Sequence, residues 1–205
     1  MEKKATHRKP EGHYHHGDLR KAIIETALEI VDTEGIGSLT LRAVSLRLGV
    51  SHAAPVYHFP SRAALILALA EEGFRLFADE LERAYSTEPS DGIRLVGRAY
   101  LQFALSHKNH YRIMFGPELT AVPNMTPSFL AESERAFAVL SLISGDALDG
   151  GLSKKSLYLW SVAHGLVMLK LGPLLSRASA EDEPQLLSLM DQVMLEAVSH
   201  LSEMR

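Results

Sequence analysis

The stretch LTLRAVSLRLGVSHAAPVYH, Leu39 to His58, decides how the chain is read. Leu41, Val44 and Leu48 recur at helical spacing with Arg42, Ser45 and Arg47 turned away, which predicts a short amphipathic helix. Thr40 stands where an N-cap hydroxyl takes up a free backbone N–H at the start of that helix. Gly49 is placed to end it, because glycine accepts the left-handed conformation of a sharp exit. Ser51 is the expected cap of a second short helix, and Pro55 near its start has a fixed φ that suits a first turn. Helix, glycine turn and capped short helix form the helix-turn-helix pattern, in which the second helix enters the DNA major groove.

Upstream, Leu19, Ala22, Ile23, Thr26, Ala27, Ile30 and Val31 predict a helix from Asp18 to Glu34, stopped at Gly35. Its apolar stripe finds a partner in the next two helices, giving a three-helix head. Met1 to His16 reads as an arm, with Lys3, Lys4, Arg8 and Lys9 among Pro10, Gly12 and four histidines. It suits a flexible basic reach to phosphates or the minor groove as well as a plain solvated tail. His13, His15 and His16 lack the Cys or carboxylate partners at fixed spacing that would make a metal site specific.

Downstream, Phe59-Pro60-Ser61-Arg62 is a break with Ser61 as the next cap. A long helix from Arg62 to Tyr85 follows, with Leu65, Leu69, Phe74 and Phe77 inward, suited to join head and body as a stiff lever. Pro89 to Gly92 is a turn. Ile93 to His107 reads as a helix with Val96, Tyr100, Phe103 and Ala104 inward. An aromatic segment, His110 to Phe115, closes at Gly116-Pro117, and Glu118 to Thr126 reads as an exposed loop. Thr126 and Pro127 open a helix to Ser144 carrying Phe129, Phe137, Leu140 and Ile143. After a break at Asp149-Gly150-Gly151, Ser153 caps a helix from Lys154 to Leu171, ended by Gly172-Pro173. It is apolar nearly all round, which predicts burial on more than one side. Beyond an acidic loop, Pro184 opens a last helix with Leu186, Leu189, Met190, Val193, Ala197 and Leu201 on one stripe. No segment alternates as a strand does, so the predicted fold is all-α. Its parts are an arm at 1–16, a helix-turn-helix DNA-binding domain at 17–64 and an effector-binding and dimerisation domain at 65–205.

Composition narrows the classes. A chain of 205 residues that is 46% hydrophobic and 22% charged has enough apolar material for a real core. Net charge is −4, but it is unevenly divided: nine Lys and Arg face seven Asp and Glu up to Arg62, against twelve and eighteen beyond it. A mildly basic head on an acidic body suits DNA at the head. The absence of cysteine leaves no disulfide framework or thiolate metal site and is compatible with a reducing cytoplasm. No secretory signal is visible, and the most apolar run, Leu157 to Leu169, falls short of the roughly 20 apolar residues of a membrane span. Nucleophile elbow, phosphate-cradling loop, H-E-x-x-H and Cys nucleophile are all missing, which argues against an enzyme. Asp146 and Asp149 near the Gly-Gly turn are better explained by turn chemistry. No cofactor is expected.

The order of helix, LTLRAVSLRLGVS, short helix ending in His-Phe, then Ser-Arg and an Ala/Leu-rich helix resembles the TetR family of bacterial regulators between Asp18 and about Leu69. Tyr111 to Pro117 and Trp160-Ser161-Val162-Ala163-His164-Gly165 are similar to the subgroup whose C-terminal domain carries a Trp-His-Gly motif. The resemblance implies a cytoplasmic homodimer that sets two heads on a near-palindromic double-stranded operator, represses by default, and is released by a small molecule. It places Thr40, Arg42, Ser51, His52, Ala53, His58 and Arg62 at DNA, with His58 and Arg62 on phosphate. The family usually has Tyr and a variable residue before His-Phe, whereas this chain has Val56 then Tyr57. The reading adopted is that Tyr57 reaches the backbone while Val56 packs or meets a thymine methyl. Arg47 is read as solvated. The resemblance also implies a four-helix dimer interface from the last two long helices, with Leu159, Val162, Leu166, Leu169, Leu186, Leu189, Met190, Val193 and Ala197 as candidates.

A regulatory pocket would be apolar with a few polar groups and would take a small apolar or amphipathic effector. Candidate lining residues are Phe103, His107, Tyr111, Met114, Phe115, Phe137, Trp160, His164 and Met168, although the same residues at helical spacing also read as plain core. His164 reads as a hydrogen-bonded core histidine, with close packing at Gly165. Two alternatives stay open: His107, His110 and His164 gathered as the site of a metal-responsive regulator, and a DNA-binding protein that needs no effector.

Overall fold

The structure, a computed structural model, describes residues 16–145, 153–172 and 182–203. Every regular element among them is helical. The α-helices are α1 (His16–Glu34), α2 (Leu41–Leu48), α3 (Ala53–His58), α4 (Arg62–Thr87), α5 (Gly92–Ser106), α6 (Lys108–Met114), α7 (Pro117–Thr120), α8 (Pro127–Ser144), α9 (Lys154–Leu171) and α10 (Glu183–Glu203). Short 3-10 turns cover Ile36–Ser38 and Pro89–Asp91. The chain divides into two compact units, one ending at Arg62 and one starting at Ala63.

In the first unit α1 packs on α2 and α3. Its buried face is Ile23, Ile24, Ala27, Ile30 and Val31, completed by Leu39, Val44 and Phe59. The helix starts at His16 rather than Asp18, and the rest of the expected arm lies outside the described residues. Arg20 stacks its guanidinium 5.3 Å from the centre of the Phe59 ring, covering that edge of the core. Ser45, expected outside, is buried: its hydroxyl donates to the Arg42 carbonyl at 2.9 Å, so the helix backbone satisfies it.

In the second unit α4 carries a continuous buried face from Leu65 to Leu81. Phe74 meets the rings of Phe115, Phe129 and Phe137, and Phe77 meets Tyr100 and Phe103 with centroids 4.9 Å away. Burying each such ring is worth roughly 1.5–3 kcal/mol. Two glycines set how closely helices approach. A Cβ on Gly73 would stand 2.6 Å from Met114 Sδ, and one on Gly97 would stand 2.9 Å from Met194 Cγ. α10 packs on α5 and α9, and Arg98 of α5 grips the Asp191 carboxylate with Nε and Nη2, the first at 2.6 Å. Arg135 of α8 reaches Asp79 and Glu82 of α4 at 2.8 and 2.7 Å.

Several expectations change here. Glu118 to Thr126 is no simple loop, because α7 forms at Pro117–Thr120 and Leu119 and Val122 are buried. The Asp149-Gly150-Gly151 break, Asp146 and the acidic loop up to residue 181 lie outside the described residues, while Asp182 accepts the Gln185 N–H at 3.1 Å at the start of α10. α9 is not buried all round: Ser156, Leu159, Ala163 and Val167 face inward, while Leu157, Tyr158, Met168 and Leu169 are exposed. Gly165 makes no close approach, since a Cβ there would meet nothing within 4 Å. On α10 the buried stripe is Leu186, Met190, Met194 and Ala197. No helix among the described residues is long and apolar enough to cross a membrane.

Candidate functional site

The turn between α2 and α3 is built as its residues require. Thr40 Oγ1 accepts the Ala43 N–H at 3.0 Å and so caps α2. Gly49 closes α2 with φ +68°, which lets its own N–H and that of Val50 reach back to Leu46 and Ser45. α3 begins differently from the expectation. Ser51 gives only its backbone carbonyl, to Ala54 N–H at 3.0 Å, and His52 takes the cap position without a side-chain bond.

α3 buries one residue, Pro55. Ser51, His52, Ala53, Val56 and Tyr57 all face solvent, Tyr57 at 80% exposure with its ring edge 5.3 Å from His58. Thr40 and Arg42 are exposed on α2, and the Arg42 guanidinium makes no hydrogen bond or ion pair among the described residues. Arg47 is not free in solvent: it pairs with Glu34 at 2.9 Å. Arg62, expected on a phosphate, turns inward to backbone carbonyls of Leu39 and Ile36.

In the second unit four side chains from three helices form one hydrogen-bonded group. Trp160 Nε1–H donates to Tyr100 Oη at 3.0 Å. Tyr100 Oη lies 3.1 Å from Tyr111 Oη and 3.0 Å from His164 Nδ1, and Tyr111 Oη lies 2.7 Å from the same nitrogen. Burial pushes both phenols up from the usual tyrosine range and His164 down, so all three stay neutral. The proton arrangement that serves every one of these atoms runs Trp160 to Tyr100 to Tyr111 to His164, with the imidazole proton on Nε2. His164 is thus a hydrogen-bonded histidine that ties α9 to α5 and α6. Tyr100 both accepts and donates here. Tyr100→Phe is therefore expected to cost about 1–3 kcal/mol, more than Tyr111→Phe, after which Tyr100 can still serve His164. Urea unfolding of the two variants gives the comparison, and equal losses would mean the chain is not ordered this way.

Phe115 packs on His164 at 4.8 Å, and Phe137 packs on Trp160 at 5.1 Å. Phe115, Phe137, Trp160 and His164 all keep part of their surface exposed. Phe103, Tyr111 and Met114, by contrast, are core residues at 3% exposure or less. Met168 does not join the group and is 48% exposed on α9. The sequence places Tyr100 inward but gives no sign that it belongs to the site, because nothing in a single sequence marks one buried tyrosine as a hub. His107 stands apart, its ring tilted against Phe103 with centroids 4.9 Å apart and its Nε2 3.6 Å from Glu80. His107 adjoins His110, whereas His164 belongs with the tyrosines, and no three metal-ligating side chains gather among the described residues.

Of the candidate interface residues, Leu159, Leu186, Met190 and Ala197 are at 3% exposure or less and belong to the chain's own core rather than to an outward face. Val162, Leu166, Leu189 and Val193 keep part of their surface and Leu169 is 52% exposed.

A capped helix, a left-handed glycine and a short helix with an outward face define a helix-turn-helix head, the mark of a DNA-binding regulator. Residues 23–69 match the model of bacterial regulatory proteins of the tetR family, and residues 93–193 match the tetracyclin repressor-like C-terminal domain, together well over half the chain. The chain belongs to the TetR family of DNA-binding transcriptional regulators. It is 28% identical over 157 residues to an uncharacterized HTH-type transcriptional regulator of Mycobacterium tuberculosis, covering 74% of this chain and 70% of that one. The tetracycline repressor protein class C of Escherichia coli is 46% identical over 52 residues, 25% of this chain and 24% of the repressor. A solved protein of unknown function from Rhodococcus sp. RHA1 superposes with a TM-score of 0.71 at 29% identity, covering 91% of this chain and 98% of the other.

Proposed function

We propose that the chain is a homodimeric repressor that holds a near-palindromic operator and lets go when a small apolar or amphipathic molecule enters the second unit. The observation that carries the DNA side is α3 itself, a helix with one buried residue and every other side chain from Ser51 to Tyr57 at least partly open to a groove. His52, Ala53 and Val56 read base edges, and Thr40, Arg42, Tyr57 and His58 hold backbone. Trp160, His164 and Gly165 stand in the order of the Trp-His-Gly subgroup, which supports placing the chain there.

The effector side rests on the partly open rings of Phe115, Phe137, Trp160 and His164, which line up apolar surface around one hydrogen-bonding imidazole. No carboxylate belongs to this group among the described residues, so a cation would be held there by the ring faces alone. The dimer side rests on Leu157, Tyr158, Met168 and Leu169 of α9 and Leu195 of α10, each exposed by 39% or more.

Selection of bound DNA from a random pool, followed by a screen for molecules that release the enriched fragment, tests the whole reading. The chain has one tryptophan, so its fluorescence reports entry at the ring group directly. Failure to enrich any palindromic site at low salt would sink the DNA side; release without a change in Trp160 emission would move the effector elsewhere. Within the head, Tyr57→Phe is expected to weaken binding to the enriched fragment about fivefold, the loss of one hydroxyl-to-phosphate hydrogen bond. Unchanged affinity would mean that the exposed ring works without its hydroxyl.

A further inference from the structure

The inward turn of Arg62 has a specific geometry. Its Nε donates to the Leu39 carbonyl at 2.7 Å and its Nη2 to the Ile36 carbonyl at 2.8 Å, in a half-buried setting. Those carbonyls flank the 3-10 turn Ile36–Ser38, whose own closure is the Leu39 N–H to Ile36 carbonyl bond at 3.2 Å. Both precede Thr40, which caps α2, and Arg42, which α2 presents to solvent. Gly35, with φ +82°, and Gly37 leave this turn little stiffness of its own. A residue more than twenty positions further along therefore holds the segment that decides where Thr40 and Arg42 stand.

We propose that Arg62 is a positioning residue of the DNA-reading head: it fixes the 36–39 turn and thereby aims Thr40 and Arg42, and it does not itself neutralise a phosphate. The proposal rests on the reading of Thr40 and Arg42 as DNA contacts. The chemistry selects arginine. A guanidinium delivers two N–H groups in a rigid fork that spans two carbonyls, while the ammonium of lysine is a point donor on a flexible stem and lacks that fixed spacing. Bonds from a charged donor to half-buried carbonyls are also stronger than neutral ones.

The test uses the full chain and the DNA fragment that the wild type enriches, with affinity measured across a range of salt. Arg62→Lys and Arg62→Gln are both expected to lose about tenfold in affinity for that fragment. The preference over unrelated DNA narrows, and the slope of log affinity against log salt stays that of the wild type, because no phosphate contact has gone. Wild-type affinity in Arg62→Lys, together with a slope reduced by about one in Arg62→Gln, would make Arg62 a phosphate ligand and overturn the proposal. A measurement on the unaltered protein is independent of how the variants fold. In DNA-free wild type the Arg62 Nε–H is expected to be protected from solvent exchange, and rapid exchange of that proton overturns the proposal by itself. If Arg62→Lys loosens the amides of residues 36–44 while Thr40→Val and Arg42→Gln bind DNA as the wild type does, the contact reading has failed rather than the strut.

Discussion

Acidification from pH 7 to pH 4.5 is expected to remove about 2 kcal/mol of stability through one side chain, His110. His110 is 7% exposed on α6, and its Nε2 has no hydrogen-bond partner among the described residues. Burial, then the neighbouring His107 and Arg75, push its pKa down from 6.5 to about 4. The sign follows from proton binding. Between pH 6.5 and 4 the unfolded chain takes up a proton that the folded chain refuses, so stability is full above pH 6.5 and falls as pH drops toward 4. Arg75 and His107 present positive or protonatable groups to it, and no carboxylate is among the groups acting on it. Burial also lowers His164, which adds to the same trend in the same direction. His110→Leu removes the titrating group while keeping an apolar side chain beside Met114 and Gly73. Its urea midpoint is expected to change less between pH 7 and pH 4.5 than that of the wild type. Parallel losses in the two proteins would assign the acid sensitivity to other groups.

The head was legible in the sequence because its signals are local. A cap such as Thr40 or a left-handed glycine such as Gly49 acts within one or two turns of its own position, and both are where the pattern put them. The same locality explains Thr126 and Ser153, whose hydroxyls accept the N–H groups of Phe129 and Ser156. Ser51 shows how thin the margin is. One residue of shift moved the cap to His52 and left the serine side chain outside. Arg62 was misread for a different reason: its partners lie more than twenty residues upstream, and a basic residue beside a helix-turn-helix looks like a phosphate ligand until those carbonyls are seen. Tyr100 likewise became a hub only when α6 and α9 brought Tyr111, His164 and Trp160 to its hydroxyl.

The two last helices set a harder problem, since a helix apolar on two faces gives a periodicity that cannot name which face is internal. Leu159 and Leu169 are both interface candidates by sequence, yet one is fully buried and the other 52% exposed. That difference makes the dimer proposal sharp. A glutamate at an exposed position costs the isolated fold about 0.5 kcal/mol or less, as surface substitutions do. If a second copy covers the face, one such carboxylate from each copy is buried without a partner, at a combined cost of about 3 kcal/mol. Leu169→Glu and Tyr158→Glu are therefore each expected to raise the dimer dissociation constant about a hundredfold, measured by sedimentation equilibrium, while leaving the helical circular dichroism intact. Operator affinity should fall with it, because a lone head grips one half-site. Leu159→Glu is the contrasting case. It puts the charge at a fully buried position of the second unit's core and should unfold that unit rather than split a dimer. Gly165 gives a further handle, because its missing side chain leaves open space in the single chain. Gly165→Leu should be harmless to the protomer and should weaken association if a partner helix lies close there. A Leu169→Glu protein that sediments as the wild type does would place the contact on another face.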